Sequence, residues 1–126
     1  MFKTKKKYNI AIVGATGIVG ESLLDILYAR KFPIENIVPL ASKRSAGSQV
    51  KFGDDLINVI ALDDYDFKEI DIAFFSAGSS VSKIFAPIAA QSGAVVIDNT
   101  SEFRYVDDIP LVVPEVNPYD IKKYSK

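Results

Sequence analysis

The sequence contains no cysteine and no histidine. The first absence excludes disulfides, and the two together remove the usual ligands of a zinc site, so no metal ligand is assigned. A thiolate nucleophile and an imidazole base are excluded as well, and no catalytic residue is assigned within the chain. Long apolar runs are also missing. Nothing approaches the roughly 18 residues that span a bilayer, and the basic N-terminus leads into no apolar stretch ending at a small-residue cleavage site. A cytoplasmic protein without a membrane partner is the expectation. Excess charge of one sign is absent too: fifteen basic residues oppose sixteen acidic ones. No global field exists to attract nucleic acid, and nucleic acid is not expected as a partner. The densest basic cluster, Lys3, Lys5, Lys6 and Lys7, is short and isolated, and residues 1–7 read as a solvated tail.

What is present is an ordinary globular composition. Apolar residues make up 48% of the 126 and charged residues 25%, which argues against disorder or a fibre. A chain of this length buries roughly two-thirds of the surface it exposes when unfolded, enough for one core. Residues 8–126 are therefore taken as one domain.

The apolar pattern alternates between two periods. Tyr8-Asn9-Ile10-Ala11-Ile12-Val13 is nearly continuous and stops at Gly14, as in a strand buried on both faces of a parallel sheet. From Ile18 the period becomes helical: Val19, Leu23, Leu24, Leu27 and Tyr28 share a face, Glu21, Asp25 and Arg30 take the other, and the helix ends before Pro33. A second strand is expected at Ile37-Val38-Pro39-Leu40-Ala41, where Pro39 argues against a place deep in the sheet. Gln49 to Ile60 alternates around Gly53-Asp54-Asp55, predicting two short strands and a turn. Asp71 to Phe75 reads as a buried strand, Ser80 to Gln91 as a small-residue helix made irregular by Pro87, and Ala94 to Asp98 as a further strand. A polar segment from Asn99 to Asp108, an apolar run at Leu111-Val112-Val113 and a short helix from Tyr119 to Tyr124 complete the chain. Strand and helix alternate, so the predicted class is α/β: a Rossmann-like, doubly wound, mostly parallel sheet with helices on both faces.

Gly14-Ala15-Thr16-Gly17-Ile18-Val19-Gly20 lies between the first strand and the first helix, where an open sheet delivers a pyrophosphate to a helix N-terminus. Its spacing is GxxGxxG rather than the commoner GxGxxG, and a glycine-rich turn can also be only a tight connection. Enzymes that prefer NAD usually hold the ribose 2'-hydroxyl with an acid at the end of the second strand. Here Leu40-Ala41 runs instead into Ser42-Lys43-Arg44-Ser45, whose hydroxyls and cations suit a 2'-phosphate. NADP is the expected cofactor, with an exposed basic loop as the bland alternative.

Taken in order, Gly14-Ala15-Thr16-Gly17 with Val19-Gly20, Arg44-Ser45-Ala46-Gly47, Phe75-Ser76-Ala77-Gly78 with Ser80-Val81-Ser82, Val96-Ile97-Asp98-Asn99 leading to Phe103-Arg104, and Val113-Pro114-Glu115-Val116-Asn117 resemble the N-terminal NAD(P)-binding portion of the aspartate-semialdehyde dehydrogenases. The resemblance implies that Gly14, Thr16, Gly17, Ile18, Val19 and Gly20 contact the pyrophosphate and that Ser42, Arg44 and Ser45 lie at the 2'-phosphate. It further implies that Ser76, Ala77 and Gly78 line the cofactor, that Arg104 binds the phosphate of an acyl-phosphate substrate, and that Asn99 and Asn117 lie near the nicotinamide or the reacting centre. An arginine suits that phosphate because its planar fork makes two parallel hydrogen bonds, although pairing with Glu102, Asp107 or Asp108 on the surface is the alternative. Where the family pattern carries a second glycine after Ser-Ala-Gly, this chain has Ser79, whose side chain could crowd the turn.

The implied reaction is NADPH-dependent reduction of L-4-aspartyl phosphate to L-aspartate 4-semialdehyde, in the biosynthesis of lysine through diaminopimelate, of threonine and of methionine. The family's nucleophilic cysteine and its histidine base are expected beyond Lys126, with a substrate and dimerisation domain. The chain is therefore expected to be inactive alone, homodimeric only as part of a full-length enzyme, and prone to self-association through uncovered apolar surface. An N-acetylglutamyl-phosphate reductase shares the acyl-phosphate chemistry, and a non-catalytic nucleotide-binding module fits the missing cysteine and histidine. The Arg44 to Gly47 and Val113 to Asn117 motifs favour the dehydrogenase.

Overall fold

The computed structural model describes residues 5–106, 108–113 and 115–123. Lys3 of the basic cluster, Asp107, Pro114 and Tyr124 lie outside the described residues. The chain order is β1 (Tyr8–Val13), α1 (Ile18–Ala29), β2 (Ile34–Ala41), β3 (Gln49–Phe52), β4 (Asp55–Asn58), β5 (Ile60–Ala61), a 3₁₀ turn (Phe67–Glu69), β6 (Ile72–Phe75), α2 (Ser79–Gln91), β7 (Val95–Asp98) and a 3₁₀ segment (Pro118–Lys123). Five strands form one parallel sheet in the order β5-β2-β1-β6-β7.

The continuous apolar run of β1 has a direct reading in this sheet. Ala11 and Val13 enter a core shared with Ala86 and Ala89 of α2, whereas Ile10 and Ile12 enter a second core with Leu24 and Leu27 of α1. Successive side chains of a strand point to opposite faces, so both faces of β1 must be apolar when each carries a helix. Phe67 and Phe75, both essentially inaccessible, fill the α2-side core with their rings 6.4 Å apart.

Pro39 departs from the expectation placed on it. It lies in β2, which has neighbours on both sides, and it is fully buried. Leu40 turns its carbonyl towards the β1 side, accepting from the amides of Gly14 and Ala15, while the Ala41 carbonyl accepts from Leu62 on the β5 side. Backbone groups alternate sides along a strand, so the Pro39 nitrogen points to the β5 side. There β5 begins only opposite Leu40, and no ladder partner is lost.

The hairpin of β3 and β4 is antiparallel and separate from the main sheet, turning at Gly53 and Asp54 as its alternation predicts. It packs on α1, with Phe52 meeting Tyr28 edge-on at 5.4 Å. Pro87 does not interrupt α2, which runs unbroken from Ser79 to Gln91. Pro87 is exposed, so water can reach the backbone its ring leaves unpaired. The terminal helix is 3₁₀ rather than α and starts at Pro118, while Leu111 to Val113 has no regular structure. Lys5 is tied down rather than free: its ammonium meets Asp71 at 2.8 Å, the one ion pair among the described residues. Lys6 and Lys7 are exposed.

Candidate functional site

The carboxyl ends of β1, β2, β5 and β6 meet around a cleft of about 390 Å³ lined by Val13, Gly14, Thr16, Gly17, Ala41, Ser42, Leu62, Asp63, Ser76, Ala77, Val81 and Phe85. The crevice outside the carboxyl ends, where connections depart to opposite faces, is where open α/β sheets bind ligands. Here β1 leads through α1 to β2 on one side and β6 leads through α2 to β7 on the other.

Two glycines shape the loop at the cleft for steric reasons, Gly14 lining it and Gly20 packing behind it. Gly14 has φ of 94°, and a Cβ there would sit 3.0 Å from the Ala77 nitrogen and the Ser76 carbonyl carbon. Without a side chain at Gly14, the β1 loop and the β6 loop can touch. A Cβ on Gly20 would run into the Gly14 carbonyl oxygen and come within 2.8 Å of the Ala15 Cα, so Gly20 lets α1 pack directly against the loop that precedes it. Gly17 is different. Its φ is −85°, and a Cβ there would meet only the Gly14 oxygen, at 3.5 Å. Packing does not require glycine at this position, and the missing side chain leaves space on the cleft side.

Gly17 is also the N-cap of α1, with no side chain hydrogen-bonded to the helix end. The opening amides of the helix therefore face outward without a side-chain acceptor, the arrangement that suits an anion. Gly78 caps α2 in the same way, again with no side-chain cap. Ser76 Oγ donates to the Val13 carbonyl at 3.2 Å, pinning the end of β6 to β1. Two uncapped helix ends and a glycine-lined floor fit the pyrophosphate of a dinucleotide, since backbone amides can approach it where no Cβ intervenes.

The remaining predicted residues divide. Ile18 and Val19 lie in the first turn of α1 and are exposed, Ile18 at 84%. Arg44 and Ser45 are in the turn beside Ser42, where the Ser45 and Ala46 amides donate to the Ser42 carbonyl; neither side chain lines the cleft. Gly78 borders it without lining it. Asn99 follows β7, its amide donating to the Phe75 carbonyl, so it stands beside Ser76 at the strand ends. Arg104 is exposed in the following turn and forms no ion pair among the described residues, while Asp107, one of the partners weighed for it, lies outside them. Asn117 is engaged locally: its Oδ1 accepts from the Val113 amide at 2.6 Å, and its Nδ2 donates to the Leu111 carbonyl and to Asp120. It fastens a loop, and the structure does not bring it to the cleft.

Ser79 does not crowd its turn. Its hydroxyl lies 2.9 Å from that of Ser101, joining the start of α2 to the segment after β7. Beneath this contact, buried Ser82 donates to Asp98 Oδ1 at 3.0 Å and Thr100 donates to Ser82 at 3.2 Å. Sequence reasoning missed Asp63. No acid follows β2 in sequence, but β5 pairs in register beside β2, Ala41 opposite Ala61, and carries Asp63 to the Ser42 end of the cleft. The only advance signal was a two-residue strand, too short to read by periodicity.

Residues 9–124 match the family model described as semialdehyde dehydrogenase, NAD binding domain. The chain belongs to this family. Among the semialdehyde dehydrogenases it is 59% identical over 123 residues to the aspartate-semialdehyde dehydrogenase of Campylobacter jejuni, covering 96% of this chain and 36% of that protein. The crystal structure of aspartate semialdehyde dehydrogenase II from Vibrio cholerae, complexed with ASA, superposes with a TM-score of 0.89 at 50% identity, over 93% of this chain and 38% of that one. The enzyme from Candida albicans, solved with NADP, superposes with a TM-score of 0.77 at 29% identity, over 92% and 36%. The chain thus spans about a third of the length of the relatives it matches. The family assignment gives a nicotinamide dinucleotide as the cofactor class. Among the described residues no helix is long and apolar enough to cross a membrane.

Proposed function

We propose that this chain is the NADP-binding part of an aspartate-semialdehyde dehydrogenase, which converts L-4-aspartyl phosphate, NADPH and a proton to L-aspartate 4-semialdehyde, inorganic phosphate and NADP. The observation that carries the reading is the cleft at the strand ends, lined by Gly14 and Gly17 and faced by the uncapped start of α1. The dinucleotide supplies the hydride. The amides following Gly17 hold the pyrophosphate, and Ser42, Arg44 and Ser45 hold the 2'-phosphate. Arg44, exposed and without an ion pair among the described residues, can swing to an anion at small cost. Ser76, Ala77 and Asn99, at the ends of β6 and β7, border the nicotinamide. Arg104, on the same side of the sheet, receives the acyl phosphate.

The chain has no cysteine and no histidine. The nucleophile and base of the acyl transfer therefore come from residues outside it, and the chain alone does not turn over NADPH. A titration tests the cofactor preference. NADPH should bind more tightly than NADH, and Arg44→Glu should erase most of the difference by removing a phosphate partner and adding repulsion. Equal losses for both dinucleotides would refute the assignment of the 2'-phosphate site. We place the full-length protein in the cytoplasm as a homodimer.

A further inference from the structure

Asp63 lines the same cleft as the phosphate loop, and its exposed carboxylate has no hydrogen bond or ion pair among the described residues. Its position follows from strand order. Moving from the centre of the sheet, the carboxyl ends present Gly14 after β1, Ser42 after β2 and Asp63 after β5. Adjacent strands are about 4.8 Å apart, so Asp63 stands roughly 10 Å along the sheet from the phosphate loop. A dinucleotide with its pyrophosphate over β1 places its adenosine ribose over β2 and its base over β5.

The surroundings of Asp63 suit a flat apolar ring. Ala41 and Leu62, both buried, with Val81 and Phe85 of α2 make the walls of the cleft apolar on this side. A 2'-phosphate carries no proton to give and would be repelled by a carboxylate, whereas Ser42 and the cationic turn at Lys43 and Arg44 suit it. The donors of the adenosine half are then the free ribose hydroxyls, which stand over β2 with the ribose, and the 6-amino group of adenine, which stands over β5 beside Asp63 and needs an acceptor. We propose that Asp63 is that acceptor and selects adenine over other purines. The proposal rests on the dinucleotide reading of the cleft and applies equally to NAD and NADP.

The test compares NADPH with reduced nicotinamide hypoxanthine dinucleotide phosphate, in which an oxo group replaces the amine, by measuring dissociation constants on this chain. The wild type should favour adenine by about tenfold, as expected for a hydrogen bond to a charged group. Asp63→Ala should bring the ratio close to one. Asp63→Asn should do the same by a different route, because its amide can accept from the amine and donate to the oxo group. Asp63 is exposed and has no partner among the described residues, so an unchanged thermal midpoint should confirm that both variants fold. An undiminished adenine preference in folded Asp63→Ala overturns the proposal while leaving the dinucleotide reading intact. So does a variant that changes only the ratio of NADPH to NADH, which would put the carboxylate at the ribose. Failure of the wild type to bind either compound overturns the dinucleotide reading and this proposal with it.

Discussion

Gly20→Ala separates a packing requirement from helix propensity. Alanine is favoured over glycine inside a helix by about 1 kcal/mol, and Gly20 is the third residue of α1, so propensity alone predicts stabilisation. The structure predicts the reverse. The new Cβ would meet backbone atoms, the Gly14 oxygen and the Ala15 Cα at 2.8 Å and carbonyl carbon at 3.0 Å, none of which can rotate away as a side chain can. Relief requires α1 to lift from β1, where Leu24 and Leu27 are packed against Ile10 and Ile12. Overpacking of this kind costs typically about 1–3 kcal/mol, and a backbone collision belongs at the upper end. Set against the propensity gain, the net loss is about 2 kcal/mol, which for a domain of this size lowers the melting temperature by roughly 6–12 °C. Gly17→Ala is the control. Its Cβ meets only one atom, at 3.5 Å, so stability should fall by less than about 1 kcal/mol, the cost of alanine at an N-cap. Its methyl should nevertheless weaken dinucleotide binding about tenfold, equivalent to about 1.4 kcal/mol. Thermal unfolding by circular dichroism, with a fluorescence titration on each variant, reads both quantities. A Gly20→Ala protein as stable as the wild type would refute the packing argument.

Ser82→Ala removes a fully buried hydroxyl that donates to Asp98 and accepts from Thr100. It should cost about 1–3 kcal/mol in chemical denaturation, because Asp98 loses a donor while its other oxygen is already buried without a partner. Phe67→Ala empties the centre of the α2-side core and should cost about 3–5 kcal/mol, enough to leave much of the chain unfolded at 37 °C. Ile97, Leu111, Val113, Val116, Tyr119 and Ile121 are exposed, so the chain should self-associate in sedimentation velocity as its concentration rises. A monodisperse monomer at high concentration would count against this.

The large features of the fold were legible because they depend on local periodicity. The two-sided apolar run of β1, the helical face of α1 and the turn at Gly53 each follow from spacing within a few residues. What escaped was set by neighbours distant in sequence. Pro39 is tolerated because β5 starts one residue later on the side its nitrogen faces, and no local pattern around Pro39 carries that fact. Asp63 reaches the cleft because a two-residue strand aligns it with Ser42. The glycine-rich loop between β1 and α1 was readable from sequence, but the distinction among its glycines was not: Gly14 and Gly20 are required by contacts with Ala77 and Ala15, while Gly17 is not required by packing. The local engagement of Asn117 was equally hidden. Its side chain is consumed by a loop that only the folded chain reveals.

The central claim is that a nicotinamide dinucleotide lies across the carboxyl ends of β5, β2, β1 and β6. Amide chemical-shift mapping by NMR, as NADPH is titrated into the isotope-labelled chain, tests it most directly. Saturable shifts concentrated at Gly14 to Gly20, Ser42 to Ser45, Leu62 to Asp63 and Ser76 to Gly78 are the predicted result. No shifts, or shifts gathered at the opposite end of the sheet around Asn9, Asn36 and Tyr65, would contradict it.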